Sequence, residues 1–181
     1  VSNALAAAAA CMAVGVSPGA VATGLARYTG VERRFHVKGQ IEGVTIIDDY
    51  AHHPTEVKAT LAAARSGGWD RVVAVFQPHR YSRTAAFASA FGAAFGDADR
   101  VILTDVYGAG EEPVPGVSGK LISDAVCAAL PGRPVAYLPH HDELVAYLRS
   151  ALRTGDALLT MGAGDVTALG DELLQRLGAD S

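Results

Sequence analysis

The sequence predicts an α/β fold: a Rossmann-like, mostly parallel sheet with an N-terminal β-hairpin, preceded by two helices. From residue 44 onward, short apolar runs alternate with helical stretches, which is typical of parallel strands joined by helical crossovers. The apolar runs are continuous, and this pattern indicates strands that are covered on both faces. Residues 1–34 do not share the alternation, so we expect one domain to end there and a second to span residues 35–181.

The composition supports a packed domain and excludes several classes of protein. Half of the 181 residues are hydrophobic and 19% are charged, a balance that excludes disorder. A net charge of −4 and an aromatic content of 7% argue against a nucleic-acid partner. No apolar run reaches the ~20 residues of a membrane span, so we expect no membrane insertion. The cysteines Cys11 and Cys127 are far apart, which fits a reducing, cytoplasmic compartment.

The first 34 residues predict two helices. One runs from Ser2 to Val14 through an alanine-rich stretch, because Ala has the highest intrinsic helix propensity. The other begins at Ser17-Pro18, since Ser is a good N-cap and Pro is favoured at the first helical position. It is expected to end near Gly30.

The remaining elements follow in order. Two short β-prone runs flank Glu42-Gly43 and predict a hairpin, the first of them being Phe35–Gln40. The predicted parallel strands are Val44–Asp48, Val72–Phe76, Val101–Thr104, Val135–Leu138 and Ala157–Met161. The predicted helices between and after them are Glu56–Arg65, Thr84–Phe95, Gly119–Leu130, Asp142–Leu152 and Val166–Leu177.

The most polar segments come at the carboxyl ends of the predicted strands, where open α/β sheets bind ligands. One segment carries Asp48 and Asp49, whose carboxylates could accept the hydroxyls of a ribose. The alternative is a simple turn followed by a helix that Thr55 caps, and the residues alone leave both interpretations open. A metal site is disfavoured, because neighbouring His52 and His53 point opposite ways in extended chain and no Cys or third His lies nearby at ligand spacing.

A second segment, residues 79–83 (His-Arg-Tyr-Ser-Arg), concentrates positive charge in a chain that is acidic overall. If a helix begins here, Arg80 and Arg83 share one face of it. Guanidinium groups suit the binding of carboxylate or phosphate, and a helix N-terminus also attracts anions. The alternative is a solvated charge cluster. Basic residues at a helix N-terminus oppose the helix dipole, and this cost favours an anionic partner.

Two further segments are less specific. Residues 107–119 are rich in Gly and Pro, and they predict either a flexible loop or a loop that covers a substrate. Residues 162–165, Gly-Ala-Gly-Asp, predict a tight turn from strand to helix, because the third glycine of a dinucleotide fingerprint is missing. The sequence contains no Gly-x-x-x-x-Gly-Lys-Ser/Thr loop for a nucleotide phosphate.

Three motifs in this order resemble the C-terminal domain of the Mur ligase family. They are Asp-Asp-Tyr-Ala-His-His-Pro-Thr-Glu at 48–56, Gln-Pro-His-Arg-Tyr-Ser-Arg-Thr at 77–84 and Asp-Val-Tyr-Gly-Ala-Gly-Glu at 105–111. Residues 3–7 and 30–35 resemble the end of the central, ATP-binding domain of the family. The resemblance implies that residues 1–34 are the tail of that central domain and that residues 35–181 are the C-terminal domain.

The resemblance implies an enzyme of peptidoglycan synthesis. Its expected reaction is the ATP-dependent joining of L-alanine to UDP-N-acetylmuramate through an acyl phosphate. ATP and Mg²⁺ are the expected cofactors, with the metal held mainly by the central domain. The alternatives are a ligase that recycles a whole tripeptide onto the same sugar nucleotide, and a non-catalytic α/β nucleotide-binding module.

The resemblance also implies roles for single residues. Asn3 is expected beside the adenine, Arg34 and Asp49 beside the phosphates and ribose, and Tyr50 and His52 along the cleft. The residues expected at the reacting end are His79, Arg80 and Arg83. Because the P-loop and the metal-holding residues of the family are absent from this sequence, we expect it to be a fragment that does not catalyse alone.

Overall fold

The computed structural model describes residues 2–28 and 30–179. The chain divides into two compact units, residues 1–31 and residues 32–181. The predicted domain boundary, between residues 34 and 35, stays a prediction.

The first unit holds two helices, α1 (Ser2–Ala13) and α2 (Pro18–Ala26). The side chain of Ser17 caps α2 by accepting a hydrogen bond from the Ala20 amide at 3.3 Å, as the sequence predicted. Large apolar side chains lie on the surface of this unit, among them Leu5, which is 65% exposed. The helices therefore form where local propensity places them, although they bury little of their own apolar surface.

The second unit is a six-stranded sheet with helices on both faces. Its strands are β1 (His36–Ile41), β2 (Val44–Asp49), β3 (Arg71–Phe76), β4 (Arg100–Leu103), β5 (Val135–Tyr137) and β6 (Asp156–Met161). Its helices are α3 (Pro54–Arg65), α4 (Tyr81–Gly92), α5 (Gly119–Ala129), α6 (His141–Ala151) and α7 (Thr167–Ala179). A short 3₁₀ turn, Ala93–Phe95, continues α4.

The strand order is β1-β2-β6-β3-β4-β5. β1 pairs with β2 antiparallel, and the other neighbours pair in parallel, so the predicted fold class is confirmed. The hairpin turn at Glu42 and Gly43 has φ angles of +50° and +77°, which match the right-handed twist of its strands. None of the described helices is long and apolar enough to span a bilayer.

The two faces of the sheet carry different helices. One core cluster contains Leu61 of α3, Phe91 of α4 and Ile122 of α5, whereas the other contains Leu148 of α6 and Leu173 of α7. Helix α4, which follows β3, and helix α7, which follows β6, therefore lie on opposite faces. Because β3 and β6 are neighbours, a crevice opens between their carboxyl ends, and this is where such sheets bind ligands.

Candidate functional site at the carboxyl edge of the sheet

Three adjacent strands end level with one another, and this brings the candidate residues to one edge. Asp49 of β2 pairs with Met161 of β6, which also pairs with Phe76 of β3. The segments that follow β2, β6 and β3 therefore begin side by side. Beyond β4, Tyr107 forms an isolated parallel bridge with His79. The segments that the sequence singled out at strand ends come together along this carboxyl edge.

An aromatic row, made of Tyr50, His52, His79 and Tyr107, crosses the edge. The ring centroids of Tyr50 and His52 are 5.3 Å apart, and those of His52 and His79 are 5.9 Å apart. The His79 ring stacks on Tyr107 at 5.7 Å with an interplanar angle of 14°. The row thus joins three predicted residues, from the ends of β2 and β3, to a tyrosine that follows β4.

Two arginines flank the Tyr50 end of the row. The guanidinium of Arg33 lies 4.8 Å from the centre of the Tyr50 ring, and that of Arg34 lies 5.8 Å from it. Arg33 is partly buried and donates to the carbonyls of Gly162 and Gly164 at 2.7 and 3.2 Å. It therefore ties this segment to the turn after β6. Arg34, the predicted residue, is exposed beside the ring.

Arg33 could not be singled out from the sequence, because neighbouring arginines give no sign of which one turns inward. Its Nε lies 3.4 Å from Oδ2 of Asp48, whose side chain is fully buried. The hydroxyls of Thr160 and Thr167 donate to the same carboxylate, each at 2.8 Å. Asp48 is thus part of a buried polar network that joins β2, β6 and α7.

Asp49, the predicted ribose contact, is 5% exposed. Its two carboxylate oxygens accept hydrogen bonds from the backbone amides of Phe35 at 2.7 Å and Ala51 at 2.8 Å. The side chain therefore orders the chain on both sides of the Tyr50 ring. Its contact with a nucleotide stays a prediction.

Helix α3 is capped by His53, so the alternative in which Thr55 caps it is wrong. A capping box pairs the N-cap residue with a Glu at the third helical position, and His53 and Glu56 fill these two positions. Oε2 of Glu56 accepts from the backbone amides of His52 and His53 at 3.0 and 3.2 Å. Burial opposes ionisation of this carboxyl, but those amides and the charges of His52 and Arg34 prevail, so the pKa of Glu56 lies below its ordinary value.

The β3–α4 connection turns sharply at Arg80. This residue is the N-cap of α4 with φ +72°, an unusual conformation for a residue other than Gly. Arg80 and Arg83 consequently bind different partners. Nη1 of Arg83 lies 3.1 Å from Nδ1 of His79, whereas Nη1 of Arg80 lies 3.6 Å from Oε1 of Glu111.

The carboxylate of Glu111 binds at the N-terminus of α4, where the sequence predicted an anion site. Its carboxylate accepts from the Ser82 amide at 2.9 Å and from the Ser82 hydroxyl at 2.6 Å. These hydrogen bonds, together with the charge of Arg80, hold the pKa of Glu111 below its ordinary value. In the sequence, Glu111 lies within the loop of residues 107–119 and ends the third motif, and nothing local pairs it with a residue 29 positions away.

The loop after β4 is attached to the site. The Tyr107 amide donates to the carbonyl of Pro78 at 2.8 Å, and the Arg80 amide donates to the carbonyl of Tyr107 at 2.8 Å. Gly164 leaves room for the same tyrosine, since a Cβ there would lie 2.6 Å from Tyr107 Cγ and 2.3 Å from Gln77 Oε1. The aromatic row therefore requires a glycine in the turn after β6.

Burial and the positive charges of Arg83, His52 and Arg80 lower the pKa of His79, and only Glu111 opposes them. A neutral imidazole is therefore favoured at the centre of the edge. Among the described residues, no three or more His, Cys, Asp or Glu side chains are grouped to hold a metal ion.

A mostly parallel sheet, helices on both faces and a cationic, aromatic edge define a Rossmann-like ligand-binding domain. Residues 33–164 match the family model described as "Mur ligase, glutamate ligase domain". The chain therefore belongs to the Mur ligase family, and the resemblance inferred from its motifs is confirmed.

Three known proteins show how far the similarity extends. The UDP-N-acetylmuramate–L-alanine ligase of Pelotomaculum thermopropionicum is 51% identical over 97% of this chain and 38% of its own length. The crystal structure of the UDP-N-acetylmuramate-alanine ligase of Thermotoga maritima matches with a TM-score of 0.81 at 27% identity, over 99% of this chain and 37% of that one.

The third is the murein peptide ligase of Psychrobacter arcticus, which matches with a TM-score of 0.71 at 26% identity, over 97% of this chain and 36% of that one. This chain thus spans less than two-fifths of each of these relatives.

Proposed function

We propose that this chain is the C-terminal part of an ATP-dependent ligase that joins L-alanine to UDP-N-acetylmuramate in peptidoglycan synthesis. The observation that carries the proposal is the aromatic row with the Arg80 and Arg83 guanidiniums beside it, at the carboxyl edge of the sheet. The 51% identity to a ligase of that name supports the choice of substrates.

The nucleotide end of the site is proposed around Tyr50. The exposed guanidinium of Arg34 above this ring fits a phosphate, since guanidinium groups bind phosphate oxygens through paired donors. Asp49 would fix the backbone beside it, and His52 would line the cleft. The contact of Asn3 with the adenine stays a prediction from the sequence. ATP, when bound, supplies the phosphoryl group that activates the muramyl carboxylate. The described residues offer no grouped metal ligands, so we assign no step to Mg²⁺ in this chain.

The reacting end is proposed around His79, Arg80 and Arg83. Negative charge develops on phosphoryl and carbonyl oxygens in both steps of such a ligation, and preorganised donors stabilise it. The carboxylate of L-alanine is a further anion for the same cluster. Closure of this domain over the nucleotide would exclude water from the acyl phosphate.

A chimaera tests the proposal, in which this chain replaces the matching segment of the Pelotomaculum thermopropionicum ligase. With ATP, Mg²⁺ and UDP-N-acetylmuramate, we expect phosphate release on addition of L-alanine, and much less with glycine or L-serine. The intact ligase is the positive control, and the 181-residue chain alone is expected to be inactive.

The similarity to the murein peptide ligase favours a second candidate, a ligase that accepts a whole tripeptide. The same assay separates the two, with L-Ala-γ-D-Glu-meso-diaminopimelate as the amine. Release with the tripeptide only would replace L-alanine synthesis by recycling. A folded chimaera that releases no phosphate with any of these amines would support the non-catalytic nucleotide-binding module instead.

A further inference from the structure

The two neighbouring histidines of the aromatic row have different hydrogen-bond partners at Nδ1. Nδ1 of His52 lies 3.0 Å from the carbonyl oxygen of Tyr50. A carbonyl oxygen only accepts, so the proton of neutral His52 lies on Nδ1 and its Nε2 is free to accept. Oε2 of Glu56 lies 3.6 Å from the same Nδ1 and favours that arrangement.

His79 has the opposite arrangement. Its Nδ1 lies 3.1 Å from Nη1 of Arg83, and a guanidinium only donates. Nδ1 of His79 must therefore be unprotonated, and the proton of the neutral ring lies on Nε2. Among the described residues, neither His52 Nε2 nor His79 Nε2 has a hydrogen-bond partner. With centroids 5.9 Å apart, the two rings can contact one small ligand together.

We propose that His52 and His79 act as an acceptor–donor pair in the amide-forming step, an inference that rests on the function proposed above. His52 Nε2 takes a proton from the ammonium group of the incoming amino acid. The amine then attacks the acyl carbon, the C–N bond forms, and the carbonyl electron pair moves to its oxygen. His79 Nε2–H donates a hydrogen bond to that oxyanion.

The oxyanion then collapses, the C–O bond to the phosphate breaks, and the phosphate leaves with the second proton of the amine. The imidazolium of His52 is stabilised meanwhile, because its Nδ1–H faces the Tyr50 carbonyl and the Glu56 carboxylate. His79 is unsuited to be the base, since protonation would break its bond from Arg83 and add a charge beside two guanidiniums.

The charged groups around the His79 ring differ from those around the His52 ring. Around His79 they are Arg83 and Arg80 of the β3–α4 segment, His52 of the β2 end and Glu111 of the loop after β4. The ionised carboxyl that faces the His52 ring belongs to Glu56 on α3. The donor therefore lies among cations and the acceptor lies beside an anion, as their roles require.

The protonated nitrogens can be read directly by long-range ¹H–¹⁵N NMR on the 181-residue chain. We expect protonated Nδ1 in His52 and protonated Nε2 in His79, each assigned by the signal lost in His52→Gln or His79→Gln. Exposed His36 and His140 supply the reference for tautomers that interconvert freely. The same tautomer in both rings, or averages like those of the references, would overturn the proposal.

Two arginine variants test why His79 is locked. Arg83→Met is expected to move the His79 signals toward the averaged values. Arg65→Met is the matched control, because Arg65 binds Asp97 and Asp99 on the surface and does not contact the site. Unchanged His79 signals in Arg83→Met would show that Arg83 does not set the tautomer.

Activity of the chimaera separates the two roles. His79→Gln keeps a donor near the position of Nε2 and is expected to retain most of the rate that His79→Ala loses, ~10²–10³-fold for one oxyanion donor. His52→Gln should lose ~10²–10⁴-fold with L-alanine, but little with hydroxylamine, whose nitrogen is neutral and needs no base. Equal losses with both nucleophiles would refute the base role. If the parent chimaera releases no phosphate with L-alanine, the proposed function fails while the NMR result still stands.

Discussion

The ends of β2 and β3 each present a histidine, but they are built from different chemistry. At the β2 end, Nδ1 of His52 faces the Tyr50 carbonyl and the Glu56 carboxylate, and the preceding Asp48 and Asp49 are buried. At the β3 end, His79 is backed by a guanidinium. The imidazole of His52 therefore accepts at Nε2, whereas that of His79 donates there. The comparison shows that the hydrogen-bond partner of Nδ1 decides which role a histidine can take.

The largest effect is expected at the β2 end, in the buried polar network around Asp48. Asp48→Ala removes the acceptor of two threonine hydroxyls and leaves Arg33 without its buried counter-ion. A buried donor that is left without a partner costs about 1–3 kcal/mol, so the loss of two acceptor contacts should lower the unfolding free energy by several kcal/mol. Urea unfolding of the chain measures it. Glu112→Ala, at an exposed carboxyl, is the control and should change stability little; similar losses for both would contradict the network.

The next effect concerns the β3 side, where we expect function to change without stability. Arg80→Ala removes an exposed guanidinium whose ion pair with Glu111 contributes about 0–1 kcal/mol at most. In the chimaera its rate should fall ~10²–10³-fold, the usual loss for one donor to a developing anion. A large fall in melting temperature with normal turnover would instead make Arg80 structural.

A smaller effect tests the packing that joins the two sides. In Gly164→Ala, the new Cβ would overlap Tyr107 and Gln77, and overpacking of this kind costs about 1–3 kcal/mol. Thermal unfolding measures the loss, and the His79 ring signals should shift as Tyr107 moves. Gly96→Ala is the control, since its Cβ would meet only ordinary contact at 3.7 Å. Equal stability of the two variants would show that the turn yields freely.

The smallest effect is a pH dependence that His79 contributes. Because its pKa is lowered in the folded state, the unfolded chain binds this proton first as the pH falls. Its contribution to stability is therefore present above the unfolded pKa of about 6.5 and is lost as the pH falls below it. Unfolding of the native chain and of His79→Gln at pH 8 and pH 5 should reveal the difference. If the native chain were more stable relative to His79→Gln at pH 5 than at pH 8, the predicted direction of this pH dependence would be wrong.

Much of the fold could be predicted because its signals are local. Continuous apolar runs placed every strand of the parallel sheet to within a residue or so, and Ser17 marked the start of α2. Helix α4 shows the limit, since the sequence predicted a start at Thr84 and the helix begins at Tyr81. The N-cap there is Arg80 with a positive φ, a choice that tertiary contacts impose and that no local preference announces.

The candidate site divides in the same way. The sequence by itself brought His52, His79 and Arg83 to one edge of a sheet, because parallel strands end together and polar residues follow their ends. Only the tertiary structure decided that Arg33 turns inward, that Glu111 reaches the N-terminus of α4, and which nitrogen of each histidine carries the proton. Those outcomes depend on donors and acceptors that lie on different strand-end segments, and their distances exist only once the sheet has formed.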